Sequence, residues 1–241
     1  RDESATPAYG TKGGLPQYPA GRIAVLDLAR SPWRWAKNDV RLTAYSGAAL
    51  ASLSEAGLDT PRDPEPEYVS INGRNQLAVT LQENNGVVLI DLATRKITKV
   101  FSASNAKVTG IDTAKDGKFS FTGGIDLPRE PDALAWIDDR YLATANEGDW
   151  KGGTRGWSIF DSTTGEVVWD AGSSFEHLAA RHGLHNEDRA GKKGTEPASA
   201  VRLLQSQRPA PPHGGYRPVS CATVWGVSAR VQHHRLVGIG Q

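Results

Sequence analysis

The chain has 241 residues and a formal net charge of +1, and 38% of its residues are hydrophobic. A charge so close to zero gives no reason to expect nucleic acid or an anionic membrane as the main partner. No run of 18 apolar residues occurs, so we expect no membrane span, and the single cysteine, Cys221, excludes a disulfide within the chain. The 26 glycines and 14 prolines suit many turns, which favours one large all-β domain or a part of one.

The first 64 residues predict a leader and an incomplete structural unit. Residues 1–19 are rich in Gly, Pro, Thr and Ser, and we expect a flexible leader there. Residues 20–64 begin with a strand-like run at 22–28 and continue with Trp33 and Trp35 in a polar setting. Such alternation is typical of half-buried aromatic residues, with ligand stacking as the alternative.

A short helix is predicted over 46–57. Ser46 is a favoured N-cap, the alanines and leucines that follow have high helix propensity, and Gly57 can end the helix. Residues 20–64 therefore combine a partial sheet unit with a short helix.

Two longer units repeat a common pattern, at 65–128 and at 129–197. Each opens with a Glu-Pro pair, at Glu65 and Glu130, and a third pair begins at Glu196, so that successive pairs lie 65 and 66 residues apart. An acidic loop follows the second predicted strand of each unit, with Glu83 in the first and Glu147 in the second. The predicted strands are 68–71, 76–81, 87–90 and 96–101 in the first unit, and 130–137, 141–146, 156–160 and 166–169 in the second. Four short antiparallel strands per repeat predict an all-β propeller, seen in part, with blades of the YVTN or WD40 type.

Two polar stretches raise the question of a metal site outside the repeat pattern. The insertion after the first unit's strands contains Asp112 and Asp116, but it lacks the acidic residue that an EF-hand loop needs between them, so a hairpin turn is the better interpretation. After the second unit, His177, His182 and His185 follow one another without a zinc-binding motif, and residues 175–181 predict a short helix.

The last segment, 198–241, contains no Asp, Glu or Lys but five Arg and three His. The run from Arg208 to Pro218 has no strand or helix period, and we expect an irregular tail rich in Arg, Pro and Gly over 198–241. A basic tail that binds nucleic acid is one interpretation, against which stand the scattered arginines and the few aromatic residues. We favour the hypothesis that this segment is translated out of frame, since a GC-rich gene read in another frame yields this composition.

Several motifs between residues 60 and 197 resemble those of the choice-of-anchor I proteins. They are Glu65-Pro66-Glu67-Tyr68-Val69, the run from Val79 to Val88 with Glu83-Asn84-Asn85-Gly86 at its centre, Pro131-Asp132-Ala133-Leu134-Ala135, Ala143-Thr144-Ala145-Asn146-Glu147-Gly148-Asp149 and Gly194-Thr195-Glu196-Pro197. The resemblance implies a secreted or surface-anchored bacterial β-propeller, similar also to the animal mesenchyme-specific cell-surface glycoprotein. It implies about seven blades in a full protein, of which this chain would hold a fragment. Ala198-Ser199 replaces the Glu-Gly expected after the third Glu-Pro pair.

The acidic loops are candidate ligands for a hard cation. In a propeller, equivalent loops lie at one face and at a common radius, where converging carboxylates repel one another unless a cation such as Ca²⁺ joins them. The ligand candidates are Glu147, Asp149, Glu130, Glu83 and Glu65, with Asn84, Asn146 and backbone carbonyls completing the shell. The alternative is purely structural: Pro sets the chain direction at each Glu-Pro, and Asn and Gly allow tight turns.

Two functions remain open at this point. The first is a secreted or cell-surface module that binds a partner through the loops of one propeller face. The second, implied by family members labelled alkaline phosphatase or phytase-like, is a calcium-dependent phosphoesterase in which Lys151 and Arg155, or Lys192 and Lys193, hold a small phosphate ester. No serine-nucleophile, P-loop or dinucleotide motif occurs, so no catalytic residue and no organic cofactor is assigned.

Overall fold

The computed structural model describes residues 21–28, 32–44, 48–114, 116, 118–148, 150–151, 155–182, 229–232 and 235–240. Within these residues the chain is all-β, with two short α-helices and strands that form three four-stranded antiparallel sheets and one two-stranded hairpin. The predicted leader, residues 1–19, lies outside the described residues.

Sheet I joins residues from the two ends of the described chain. Its strands are β1 (Arg22–Asp27), β2 (Lys37–Arg41), β13 (Ala229–Gln232) and β14 (Arg235–Gly240), in the order β13-β14-β1-β2. The expectation of an irregular segment over 198–241 is wrong for the two ranges that form β13 and β14. All six residues of β1 pair with residues of β14, which supplies backbone partners to a strand edge that would otherwise stay open.

Sheets II and III correspond to the two predicted repeats. Sheet II consists of β3 (Pro66–Ile71), β4 (Gln76–Leu81), β5 (Gly86–Asp91) and β6 (Lys96–Ser102), and sheet III of β9 (Pro131–Trp136), β10 (Tyr141–Asn146), β11 (Gly156–Asp161) and β12 (Val167–Asp170). The same backbone bonds recur at the turns: Arg95 N–H donates to the Asp91 carbonyl at 2.7 Å, and Gly165 N–H to the Asp161 carbonyl at 2.7 Å. The eight predicted strands are therefore confirmed, and the internal repeat is present in the turns as well.

The insertion between sheets II and III is a hairpin, as predicted. It pairs β7 (Asn105–Ile111) with β8 (Gly123–Pro128) around a small apolar cluster of its own. The Asp112 carboxylate accepts hydrogen bonds from the backbone N–H groups of Ala114 at 3.1 Å and Ser120 at 3.4 Å, so this side chain shapes the turn.

The sequence predicted the second helix closely but placed the start of the first helix too early. Helix α2 (Ser174–Arg181) matches its prediction, whereas α1 (Ala51–Glu55) begins five residues after Ser46, which lies outside the described residues. The earlier start is wrong because Ala49 forms a β-bridge with Thr43 instead of entering a helix. Gly57, with φ +69°, lies directly beyond the end of α1, as expected of a C-terminal glycine.

Sheet II lies between two apolar layers. On one side, its buried residues pack against those of sheet I and against Leu53 and Leu58 of the α1 segment, and the full set is Ile23, Val25, Val40, Leu42, Leu53, Leu58, Val69, Ile71, Leu77, Val79, Leu81, Val88, Ile90 and Leu92. Leu58 lies so close to the start of β5 that a Cβ on Gly86 would lie 2.2 Å from one of its methyl carbons, so a larger residue there would force the Leu58 side chain to shift. On the other side, sheet II packs against sheet III, through Ala78, Val87, Leu89, Phe101 and Ala103 on one hand and Leu134, Leu142 and Phe160 on the other.

The contact between sheets II and III depends strongly on Phe160. This side chain is fully buried, and its ring lies 5.8 Å from that of Phe101 across the sheet-to-sheet contact. We expect Phe160→Ala to lower the free energy of unfolding by about 3–5 kcal/mol, because it removes apolar contacts and leaves a cavity. Urea unfolding measures this. The control is Val168→Ala on neighbouring β12, 52% exposed, for which we expect a change within about 0.5 kcal/mol. Equal losses for the two variants would contradict the packing described.

An ion pair between exposed Arg140 and buried Asp161 holds the turn end of sheet III. Asp161 Oδ2 accepts hydrogen bonds from Arg140 Nε at 2.9 Å and Nη2 at 2.5 Å, while its Oδ1 accepts from the Thr163 hydroxyl at 2.6 Å and the Thr163 N–H at 2.8 Å. The Arg140 guanidinium, followed by the Thr163 hydroxyl, holds the pKa of Asp161 well below the ordinary aspartate value.

A pH titration of stability tests this pair. A depressed carboxyl pKa contributes stability above the unfolded aspartate pKa, and the contribution is lost as the pH falls through the folded-state pKa. We therefore expect the melting temperatures of the wild type and Arg140→Gln to differ most above about pH 5, to begin to converge below about pH 4, and to continue converging as the pH falls toward the folded-state pKa of Asp161. As a control, Arg74→Gln removes an exposed arginine that lies 3.3 Å from Asp139 and should change little at any pH. A difference that does not vary with pH would contradict this account.

Candidate functional site

Four of the predicted ligand residues lie at one edge of sheets II and III. Glu65 precedes β3 and Glu83 follows β4, while Glu130 precedes β9 and Glu147 follows β10. Because β3 and β4, like β9 and β10, are antiparallel neighbours, the start of one strand and the end of the next lie at the same edge. We call Glu65, Glu67, Glu83, Glu130 and Glu147 the acidic edge.

Contacts between loops join the two halves of the acidic edge. Gln82 Nε2, in the β4–β5 loop of sheet II, donates to Glu147 Oε2 at 3.0 Å. Lys151 Nζ lies 2.6 Å from Asp59 Oδ1, which belongs to the segment that enters sheet II. The loop after β10 therefore lies against the sheet II loops, and Glu147 of the second repeat lies beside the loop that carries Glu83.

Three carboxylates of the acidic edge converge. Glu65, Glu67 and Glu83 each offer an oxygen atom, and these atoms lie within 4.8 Å of one another. Glu65 is buried, whereas Glu67 and Glu83 are half-buried. The spacing suits a hard cation, since Ca²⁺ takes oxygen ligands at about 2.3–2.6 Å and two ligands on opposite sides of it lie about 5 Å apart. We call these three residues the carboxylate triad.

Glu67 is absent from the sequence-based ligand list. It follows Glu65 by two residues and lies where the register of β3 shifts between Pro66 and Tyr68, so regular strand alternation does not place its side chain. The signal that would have identified Glu67 is a second carboxylate directly after the Glu65-Pro66 pair.

Glu130 has a different part in the acidic edge from its repeat counterpart Glu65. Its side chain is fully buried, and Oε1 accepts a hydrogen bond from the Lys151 N–H at 2.8 Å. Its carbonyl accepts from the Glu147 N–H at 3.1 Å, so this residue fixes both ends of the segment from Glu147 to Lys151. Its φ of +47° is unfavourable for a residue with a side chain, at a cost of about 1–2 kcal/mol. Among the described residues, neither Glu130 nor Glu147 joins the carboxylate triad.

Adjacent asparagines hold the backbone at the entry of each repeat. Asn84 Oδ1 accepts from the Glu65 N–H at 2.8 Å, and Asn85 Oδ1 accepts from the Glu130 N–H at 2.9 Å. Asn84 Nδ2 also donates to the carbonyls of Asp59 at 2.9 Å and Asp63 at 3.0 Å. Asn84 was expected as a calcium ligand, but its side-chain amide instead forms hydrogen bonds with the backbone around Glu65.

The remaining predicted site residues have varied surroundings. Asn146 bonds within sheet III, accepting from the Thr144 hydroxyl at 2.9 Å and donating to Ser158 Oγ at 2.9 Å. Arg155 Nε donates to the Glu147 carbonyl at 3.1 Å, so Arg155, like Lys151, belongs to the acidic edge region. Asp149, Lys192 and Lys193 lie outside the described residues, as does His185. His177 Nε2 lies 2.7 Å from the Gly110 carbonyl and joins α2 to the β7–β8 hairpin.

Replacing Asn84 tests whether its side-chain hydrogen bonds to the backbone stabilise the fold. The side chain is fully buried, so Asn84→Ala leaves the Glu65 N–H and several carbonyls without their partner, and we expect a loss of about 1–3 kcal/mol in unfolding free energy. Chemical denaturation measures the loss. The matched control is Asn38→Ala, whose amide makes one exposed bond of 3.3 Å to the Ala36 carbonyl and should cost less than about 0.5 kcal/mol. If Asn84→Ala is no more destabilising than Asn38→Ala, the hydrogen bonds of Asn84 contribute little to the free energy of unfolding.

Known proteins of three kinds bear on this chain: curated proteins, solved structures and the members of a protein family. Curated proteins give no match. A solved structure, hydrazine synthase of Kuenenia stuttgartiensis, is 17% identical over 44% of this chain and 35% of its own, with a TM-score of 0.20. The chain thus spans only about a third of that protein, and a likeness this low carries no argument about fold or function. None of the helices among the described residues is long and apolar enough to cross a membrane.

The family match, in contrast, covers more than half of the chain. The model of the choice-of-anchor I domain matches residues 19–152. This range includes sheet II, the insertion, the first two strands of sheet III and every residue of the carboxylate triad. The chain therefore belongs to the choice-of-anchor I family, whose members are secreted or surface-associated modules.

Proposed function

We propose that this chain is part of a β-propeller that binds a partner at the acidic edge with the help of a calcium ion. The proposal has two parts, an architecture and a metal site, and a different observation supports each.

The register of sheets II and III supports the propeller. In sheet II, Ala78 pairs with Leu89 and Thr80 with Val87, and the apolar members of these pairs pack against sheet III. The corresponding pairs of sheet III are Ala143 with Ile159 and Ala145 with Trp157. By the alternation of strand faces, these four residues point away from sheet II.

The positions that carry one sheet-to-sheet contact are thus apolar again on the far side of sheet III. The Trp157 ring also lies 4.3 Å from that of Trp169, which is 43% exposed. A further four-stranded sheet stacked there would repeat the contact between sheets II and III, and continued repetition around an axis produces a propeller.

The carboxylate triad is the observation that carries the calcium proposal. Three carboxylate oxygens within 4.8 Å of one another repel strongly unless a proton or a cation lies among them. Glu65 and Glu83 were both predicted as ligands and Glu67 joins them, whereas Glu147 and Glu130 shape the loop beside the triad. Calcium held there would stiffen the β4–β5 loop and prepare the acidic edge for a partner.

The alternative function, a calcium-dependent phosphoesterase, would require cationic side chains of the same region to change partners. Phosphate binding needs cationic groups directed at the metal, and the predicted candidates among the described residues are Lys151 and Arg155. Lys151 Nζ lies 2.6 Å from Asp59, and Arg155 Nε donates to the Glu147 carbonyl, so both would have to exchange these partners for phosphate. The binding module therefore has the better support, with an unidentified protein as the partner.

Thermal melts with calcium and with a chelator test the metal site. A ligand that binds only the folded state at 100 times its dissociation constant adds about 2.7 kcal/mol of stability. We expect calcium to raise the melting temperature of the wild type, and Glu67→Gln and Glu83→Gln to abolish that rise. The control Glu166→Gln removes an exposed carboxylate at the opposite end of sheet III and should preserve it.

The outcomes separate the alternatives. A calcium-dependent rise without turnover of an aryl phosphate ester supports the binding module, whereas turnover that a chelator abolishes supports the phosphoesterase. No rise in the wild type, or a rise that survives both triad substitutions, would refute the triad as a calcium site.

A further inference from the structure

The turns of sheets II and III contact each other at the end opposite the acidic edge. Residues 72–75 join β3 to β4, and residues 137–140 join β9 to β10. The Gly73 N–H donates to Asp139 Oδ1 at 2.9 Å, and Arg74 Nε lies 3.3 Å from Asp139 Oδ2. A Cβ on Gly73 would lie only 3.0 Å from Asp139 Oδ1, so the glycine leaves room for this approach. A carboxylate of the second repeat is therefore held against a backbone amide of the first.

An asparagine side chain lies next to the same amide. Asn72 precedes Gly73, and its Oδ1 accepts hydrogen bonds from the N–H groups of Arg74 at 3.0 Å and Gln76 at 2.9 Å. An asparagine whose oxygen binds the N–H two residues ahead folds its side chain over the amide between them, here that of Gly73. Backbone N–H groups on a carbonyl oxygen also stabilise negative charge that develops there. Asn72 is buried, whereas Gly73 is open to water.

These contacts suit the attack of a backbone amide on the preceding asparagine side chain. The Gly73 nitrogen forms a bond to Asn72 Cγ and gives its proton to the Asp139 carboxylate, which returns it to the solvent. Asn72 Nδ2 takes up a proton from the solvent and leaves as ammonia, so that a cyclic succinimide remains. Water then opens the ring at either carbonyl and produces aspartate or isoaspartate. The reaction consumes water and releases ammonia, and a positioned carboxylate accelerates it by accepting the proton in the transition state.

A second Asn-Gly pair of the chain, Asn85-Gly86, has different surroundings. Asn85 Oδ1 accepts from the Glu130 N–H at 2.9 Å and its Nδ2 donates to the Ser104 carbonyl at 3.2 Å, so both ends of this amide bind segments outside their own turn. Gly86 is buried at the start of β5, beside a methyl group of Leu58. The two pairs have the same local sequence, so a difference in their reactivity must come from the tertiary structure.

We infer that Asn72 is a self-modification site, converted to aspartate or isoaspartate with Asp139 as the base. The conversion places a new negative charge in the turn that contacts the Asp139 carboxylate, and isoaspartate also inserts the Cβ atom into the main chain of this turn. Both changes weaken the contact between the turns of sheets II and III, because like charges repel and the hydrogen bond from Gly73 loses its geometry. The site goes beyond partner binding and is independent of the calcium site, since it lies at the opposite end of the sheets.

Peptide mapping by mass spectrometry tests the inference, after incubation of the full chain at neutral pH either folded or unfolded in guanidinium chloride. We expect Asn72 to convert faster in the folded chain, since folding supplies the base and the N–H donors, and Asn85 to convert more slowly there.

Two variants separate the chemistry from the geometry. Asp139→Asn retains a hydrogen-bond acceptor for the Gly73 N–H but no base, so we expect the conversion of Asn72 to be at least about tenfold slower in the folded chain and unchanged in the unfolded chain. The charge-matched control Glu166→Gln removes an exposed carboxylate at the same end of sheet III and should leave the rate unchanged.

Each result decides for or against the inference. Faster conversion of Asn72 in the folded wild type supports it, and this comparison does not depend on the folding of any variant. Slower conversion in the folded chain would show that the turn protects Asn72 and would overturn it. Equal rates for the wild type and a folded Asp139→Asn would overturn the role of the carboxylate. Equal conversion of Asn72 and Asn85 in the folded chain would assign the reaction to the local sequence alone. The calcium melts would be unaffected by any of these failures.

Discussion

The structure depends on the burial of sheet II on both faces. Its central strands β4 and β5 are buried at nearly every position, and their apolar side chains pack toward sheet I on one face and toward sheet III on the other. A sheet enclosed in this way cannot leave polar backbone groups at its ends without partners. Asn84 and Asn85 meet that need at the acidic edge. At the junction with the insertion, buried Arg129 donates to the carbonyls of Ala103 at 2.8 Å and Asn105 at 2.7 Å and pairs with Asp170 at 3.0 Å.

Glu65 and Glu130 occupy equivalent positions of the two repeats but have different roles, because the loops beside them differ in length. In sheet II the connection from β4 to β5 has four residues, 82–85, and it brings Glu83 back over Glu65 and Glu67. In sheet III the connection from β10 to β11 spans residues 147–155, and Glu130 is buried beneath its first part, where it binds the Lys151 N–H. A carboxylate at the repeat entry is thus a candidate ligand in one blade-like unit and a structural anchor in the next.

The distribution of charge explains why the composition predicts little about partners. The net charge of +1 sums 28 basic and 27 acidic residues, and it does not reveal that five of the carboxylates lie together at the acidic edge of sheets II and III. The acidic edge gathers residues that are distant in sequence, and the chemistry of its carboxylates suits a hard cation.

The sequence by itself determined the local structure of the repeats. Alternating apolar residues and Gly- and Asn-rich turns located all eight strands of sheets II and III and indicated a hairpin turn in the insertion, because these signals arise from neighbouring residues. It also identified Glu65 and Glu83 as candidate ligands from their repeat positions. Only the tertiary structure decided that Glu67 joins them, that Glu130 is buried as an anchor, that residues 235–240 complete sheet I beside β1, and that Trp33, expected to be half-buried, is 84% exposed. These outcomes depend on loop lengths and on contacts between distant segments, and a pattern read along the chain does not record which segments meet in space.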